Sequence, residues 1–117
     1  MHKADKLPLT GPGELMSSAV LTMTAKSFGC LGIVDGKGRL VGVITDGDLR
    51  RHIDTDMRKA RTGDIMTRKP KSVAPNMLAS AALEFMNASS ITSLFVVDKG
   101  KPVGIIHVHD LLRAGVV

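Results

Sequence analysis

Tryptophan and tyrosine are absent from this chain of 117 residues, and phenylalanine occurs three times. That removes the aromatic platforms on which single-stranded nucleic acids stack. A single cysteine, Cys30, permits no internal disulfide and leaves no second thiol for a zinc site, as expected of a reducing compartment. No apolar run approaches the roughly 20 residues of a membrane span, and no signal-peptide pattern opens the sequence. The expectation is a cytoplasmic chain with neither membrane nor nucleic acid as partner. What is plentiful is apolar content, 44% of residues, enough for one common core at this length. The net charge of +5 is unevenly spread, because eight of the sixteen Lys and Arg residues lie between Arg50 and Lys71. They form either a solvated face or an anion-attracting rim.

The sequence also states one pattern twice. Leu31-Gly32-Ile33-Val34-Asp35, followed by Leu40-Val41-Gly42-Val43-Ile44-Thr45-Asp46-Gly47-Asp48-Leu49-Arg50-Arg51, returns as Leu94-Phe95-Val96-Val97-Asp98, followed by Pro102-Val103-Gly104-Ile105-Ile106-His107-Val108-His109-Asp110-Leu111-Leu112-Arg113. The offset is 63 at Val34 and Val97 and 62 at Gly42 and Gly104, so one residue is missing from the second turn. Pro12, Leu15, Ala19 and Met23 match Pro75, Leu78, Ala82 and Met86 at the same offset of 63. A long period occurring twice implies two supersecondary units with a pseudo-twofold axis rather than a solenoid.

Within each copy, periodicity orders the elements. A helix is predicted over Glu14–Phe28, with Leu15, Ser18, Ala19, Thr22 and Met23 on one face; Leu78, Ala81, Ala82, Phe85 and Met86 repeat that face. A short apolar strand follows, ending at Asp35 or Asp98. After a Gly-rich turn comes a second strand, Leu40–Thr45 or Pro102–His107, which makes a hairpin. A short helix, Asp46–Asp54 or Val108–Ala114, closes each copy. An extended piece around Lys71-Ser72-Val73 precedes the second long helix, and the charged stretch Asp54–Gly63 reads as the connector.

Chemistry concentrates where the second strand enters the last helix. Gly42 permits close approach of another backbone. Thr45 and Asp48 stand three apart at a helix start, where unpaired amides and the dipole favour a phosphate and an acidic side chain can accept from a ribose diol. The same Thr-x-x-Asp spacing is nearly a capping box, which satisfies only the helix's own backbone. Spacing alone favours the cap, but the acid recurs as Asp110 where the cap position holds His107. Arg50 and Arg51 follow on the helix, with Arg113 matching Arg51. They serve either as solvated charges or as a clamp for phosphate or carboxylate. His107 and His109 lack a third ligand for a metal. Cys30 corresponds to Ser93, a small strand-entry residue, and no nucleophile–base or paired-acid arrangement points to catalysis.

These residues carry a resemblance. The whole chain resembles a tandem pair of CBS domains, whose repeats end in Gly-h-h-Thr/Ser-x-x-Asp with h apolar. Gly42–Asp48 fits fully, the second copy has His107 in the Thr/Ser position, and Asp64-Ile65-Met66-Thr67 is similar to a repeat opening. The resemblance implies an α+β fold of two pseudo-symmetric β-α-β-β-α repeats packed as one module: repeat 1 over 1–54, a linker over 55–63 and repeat 2 over 64–117. Residues 1–4, at an offset of 63 from Asp64–Thr67, do not resemble an opening, so repeat 1 is expected to be truncated at its N-terminus. The resemblance further implies nucleotide-type ligands in clefts between the repeats. One cleft would pair Thr45 and Asp48 with Thr67–Lys69 and Ile91-Thr92; the other, less complete, would use His107 and Asp110 with Gly29 and the region before Thr10. The charge distribution, not the resemblance, adds Arg51, one helical turn beyond Asp48, opposite Lys69 as a holder of anionic groups in the first cleft.

The stretches Thr45–Arg51 and His109–Val117 also resemble the C-terminal part of bacterial D-arabinose 5-phosphate isomerases. That likeness implies a regulatory piece without catalytic residues of its own. It would need no cofactor, bind AMP, ATP or a cytidine-activated sugar, form a homodimer through its CBS repeats, and act on an upstream isomerase domain serving 3-deoxy-octulosonate synthesis for lipopolysaccharide. The alternative is a structural dimerisation platform without ligand.

Overall fold

The computed structural model of the chain describes residues 2–3, 7–26, 29–89 and 91–113. Its elements in chain order are β1 (His2–Lys3), β2 (Leu9–Thr10), α1 (Met16–Lys26), β3 (Cys30–Val34), β4 (Leu40–Thr45), α2 (Asp46–Arg51), α3 (Thr62–Ile65), β5 (Thr67–Arg68), β6 (Ser72–Val73), α4 (Ala79–Ser89), β7 (Ser93–Asp98), β8 (Lys101–His107) and α5 (Val108–Arg113). The expected β-α-β-β-α order is present twice, as β2-α1-β3-β4-α2 and β6-α4-β7-β8-α5, in an α+β fold with two four-stranded sheets. The helix ends expected at Phe28 and Ala114 lie outside the described residues.

The chain divides into two compact units. One is Pro8–Pro70; the other is Met1–Leu7 together with Lys71–Val117. In the first, the sheet runs β2-β3-β4-β5, with β2 parallel to β3 and the other pairs antiparallel. The second has the order β6-β7-β8-β1, with β6 parallel to β7 and β1 antiparallel to β8. The units are therefore out of step with the repeat boundaries. β5 sits in the opening of the second repeat, yet its backbone pairs with β4, placing Arg68 opposite Gly42. His2–Lys3 takes the matching place on β8, with Lys3 opposite Gly104.

The two hairpins differ at their turns because of the one-residue deletion. Lys99 and Gly100 have φ of 53° and 84°, the pair of positive values that a two-residue type I′ turn demands. The first hairpin instead crosses Gly36-Lys37-Gly38, with Gly38 at φ 80° and the Asp35 carboxylate accepting the amides of Lys37 and Arg39. Both hairpins carry a register irregularity at the same place, between Ile33 and Val34 and between Val96 and Val97.

Each unit has its own core. Met16, Ala19, Met23, Leu31, Ile33, Ile44, Ala60 and Ile65 form one cluster; Val73, Ala82, Leu83, Met86, Leu94, Val96 and Leu111 form the other. The buried helix faces share Ala19, Met23, Ala82 and Met86 with the expected ones and differ at their edges. In α1 the face is Met16, Ala19 and Met23, while Ser18 is exposed; in α4 it is Ala82, Leu83 and Met86, while Leu78 is exposed. The reason is chemical: Met16-Ala19-Val20-Met23 is a wholly apolar stripe at i, i+3, i+4 and i+7, whereas the expected stripe included two hydroxyls, and Leu78 precedes the first turn of α4.

The stretch expected as a linker, 55–63, is built into the first unit. The first amides of a helix have no partner within it, and the connector supplies them: Ala60 O accepts from Met16 N at 2.9 Å and Met57 O from Ser17 N at 3.1 Å. Ala60 is buried in the core and Met57 packs against it. Thr62, fully buried, donates its hydroxyl to Gly11 O at 2.6 Å, and its amide reaches Glu14 O at 2.9 Å. Arg61 binds Gly13 O through Nη1 at 2.5 Å. The Gly11–Glu14 turn is thus clamped by backbone and side-chain bonds from 61–63.

Candidate functional site

Strand β4 delivers Thr45 directly to the start of α2. Thr45 is extended at φ −121° and ψ 174° and forms the N-cap; its hydroxyl accepts from Asp48 N while the Asp48 carboxylate accepts from Thr45 N at 2.8 Å. This is the reciprocal capping box, each partner satisfying an amide the helix leaves open. The arrangement does not end there. Asp48 Oδ1 also accepts from Thr67 Oγ1 at 2.7 Å and from Arg51 Nη2 at 2.5 Å, and Oδ2 accepts from Thr45 Oγ1 at 3.2 Å. A helix cap needs neither Thr67 nor Arg51. Asp48 is 3% exposed, an unusual place for a carboxylate unless donors surround it.

Burial pushes the Asp48 carboxyl upward, but hydrogen bonds from the Thr67 hydroxyl, the Thr45 amide, Arg51 and the Thr45 hydroxyl outweigh it, and the net shift is downward from the ordinary value. A group whose folded pKa lies below its unfolded value, about 3.9 for Asp, stabilises the fold at neutral pH. That contribution starts to fade near the unfolded value and is gone once the pH has fallen through the folded one. Stability should accordingly drop as pH is lowered from 5 to 2.5, more steeply in the unmodified chain than in Asp48→Asn. Urea unfolding midpoints at several pH values measure this, and parallel curves would contradict it.

Beside the paired backbone of Arg68, Gly42 admits a side chain. A Cβ on Gly42 would lie 2.5 Å from Met66 Sδ, 2.9 Å from its Cγ and 3.1 Å from its Cβ. The space over Gly42 is filled by the Met66 side chain, one residue before Thr67. Packing of Met66 on bare backbone therefore sets the position from which the Thr67 hydroxyl reaches Asp48.

Of the eight candidate residues, Thr45, Asp48, Arg51 and Thr67 come together within the unit Pro8–Pro70. Lys69, exposed and at φ 54°, follows on the same edge. Thr92, His107 and Asp110 belong to the other unit. There the Thr92 carbonyl accepts from Val108 N at 2.8 Å, which ties Thr92 to the start of α5. Asp110 accepts from His107 N at 3.0 Å, as Asp48 does from Thr45. His107 replaces the missing hydroxyl with imidazole Nδ1, which accepts from His109 N at 3.1 Å, and the two rings stack at 4.8 Å. The cap thus reaches one residue less far along the helix than in the first copy.

Among the described residues, no group of three or more His, Cys, Asp or Glu is placed to hold a metal ion, and no helix is long and apolar enough to cross a membrane. Cys30 is buried at the start of β3, opposite Thr45. The Asp48–Arg51 ion pair and the Thr62 clamp were not anticipated. An acid and an arginine at i and i+3 were the available signal for the first.

Two halves of one design, each ending in a strand that hands a Thr or His to an acid-capped helix, define the class. Residues 5–55 and 63–117 match the CBS domain family, and the chain belongs to it as a CBS pair, a regulatory module rather than a catalytic domain. The chain is 43% identical over 119 residues to arabinose 5-phosphate isomerase KdsD of Yersinia pestis and 41% identical over 120 residues to that of Pseudomonas aeruginosa. It is matched over its whole length while spanning 36% and 37% of those relatives. Among solved structures, the CBS-pair protein CBSX2 of Arabidopsis thaliana superposes with a TM-score of 0.84 at 25% identity, covering 98% of this chain and 89% of that one. A structure of CBSX2 in complex with AMP gives a TM-score of 0.84 at 26% identity over 98% of this chain and 91% of that one.

Proposed function

We propose that the chain senses an anionic nucleotide and biases the activity of a sugar-phosphate isomerase domain in the same protein, of the arabinose 5-phosphate type. One observation carries the ligand reading: Asp48 is buried with donors from three different places in its unit, an investment beyond what capping α2 requires. The AMP complex of CBSX2 makes AMP the first candidate, with ATP and a cytidine-activated sugar next. Thr45, Asp48, Arg51, Thr67 and Lys69 are assigned to the ligand in the first unit, and His107 and Asp110 to the corresponding place in the second. The upstream isomerase, its service to 3-deoxy-octulosonate and lipopolysaccharide synthesis, a cytoplasmic setting and a homodimer formed through the CBS repeats belong to the same reading.

A second reading is favoured by the completeness of the capping box: a structural dimerisation platform whose Thr45 and Asp48 serve α2 alone. Ligand that binds only the folded state raises its stability by an amount set by concentration over Kd. A nucleotide at 100 times its Kd should add about 2.7 kcal/mol. Thermal unfolding with millimolar AMP, ATP, CMP and the cytidine-activated octulosonate tests both readings. An upward shift with at least one supports sensing; no shift with any leaves the platform.

A further inference from the structure

An ionised carboxylate offers about four lone-pair sites, and Asp48 has four donors on them: the Thr45 amide and hydroxyl on Oδ2, and the Thr67 hydroxyl and Arg51 Nη2 on Oδ1. A ligand diol finds no vacancy. To bind, it must evict one of the present donors, and they differ in how readily they leave. The Thr45 amide is fixed at the junction of β4 and α2. Thr67 lies on β5, held to β4 by its pairing with Val43. The Arg51 side chain is 64% exposed while that of Asp48 is 4% exposed, so Arg51 leaves into water and recovers its hydration at once.

We propose that Arg51 is an internal competitor for the Asp48 carboxylate, and that it thereby selects nucleotides over neutral nucleosides. This rests on Asp48 being the carboxylate that meets the ligand. A neutral ribosyl compound that takes Oδ1 breaks an ion pair and returns nothing to the guanidinium. A compound carrying a phosphate as well as the diol gives the displaced guanidinium a bidentate anionic partner, the geometry it suits best. The arginine discriminates by being released, so its removal affects the two ligand classes in opposite directions. A residue contributing only positive field would weaken the anion and leave the neutral ligand untouched.

The test is calorimetric titration of the full chain with AMP and with adenosine, in the unmodified protein and in Arg51→Ala, Arg50→Ala and Asp48→Asn. Arg51→Ala is expected to weaken AMP about tenfold, the loss of one charge-assisted hydrogen bond, and to tighten adenosine about two- to fivefold, the worth of an exposed ion pair removed. Arg50→Ala, one residue earlier on the same helix, should weaken AMP modestly and leave adenosine unchanged. If AMP binds and Asp48→Asn weakens it, but Arg51→Ala fails to tighten adenosine, the competitor role is overturned and the ligand reading stands. If Asp48→Asn leaves AMP binding unchanged, Asp48 is not the carboxylate that meets the ligand and this inference falls; if neither AMP nor adenosine binds the unmodified chain, AMP falls as the ligand and this inference with it, while the ligand reading passes to the other nucleotides of the thermal screen.

Discussion

Asp48→Ala is expected to lower the unfolding free energy by about 2–3 kcal/mol, a large fraction of what a domain of this size possesses. Losing the reciprocal cap accounts for about 1 kcal/mol. Beyond the cap, the Thr67 and Thr45 hydroxyls lose their acceptor, together at a cost of about 1–2 kcal/mol where water does not fully replace it. Arg51 adds little, since its exposed guanidinium is hydrated in either state. Equilibrium denaturation in urea at pH 7 measures the difference. A loss under about 0.5 kcal/mol, the level of an ordinary surface change, would mean that the network around Asp48 contributes little to folding.

Gly42→Ala should cost about 1–3 kcal/mol, the range of an overpacked site. The added methyl meets not only Met66 Sδ but also its Cγ and Cβ, so a rotation at the end of the side chain does not clear it. Met66→Ala on its own opens space in the first core, to which Met66 is packed. Combining the two should restore part of the loss, because the new methyl then fills volume the methionine vacated. A double-mutant cycle reads this as a favourable coupling of about 1 kcal/mol; additive effects would show that the two positions do not compete for the same space.

Much of this architecture was legible because it is periodic. The hairpins followed from matching apolar runs across Gly-containing turns, and Thr45 with Asp48 stood out because an acid recurs at Asp110. The helix faces were legible at their centres, Ala19, Met23, Ala82 and Met86, and not at their edges: in α1 two overlapping stripes are both largely apolar, and the one with hydroxyls at positions 18 and 22 is the poorer. The connector lies between the two matched repeats, but its role in the first unit is hidden for a different reason. Its contribution to α1 is made by carbonyl groups of residues 57 and 60, and main-chain acceptors leave no mark on composition. The same holds for the pairing of β5, whose two residues are joined to β4 through backbone alone. Arg51 was noticed as an anion-binding charge, but that its anion is Asp48 depends on a rotamer that spacing does not specify.

The placement of β5 has a consequence for dissecting the chain. The segment that repeats and the segment that folds are out of phase by one strand: the first compact unit is continuous, Pro8–Pro70, whereas the second needs both ends of the chain. A cut within 55–63, where the duplication suggests a seam, would remove the fourth strand from one sheet, strip the amide partners from α1 and deprive Asp48 of Thr67. A cut after Pro70 would spare all of these and leave the C-terminal piece with one sheet edge open, since its covering strand, His2–Lys3, lies before the first unit. Two identical single repeats would face the same shortage, each with an unclaimed opening strand and an unclaimed edge, and reciprocal exchange would satisfy both. Tethering the copies in one chain turns that exchange from a concentration-dependent event into an intramolecular one.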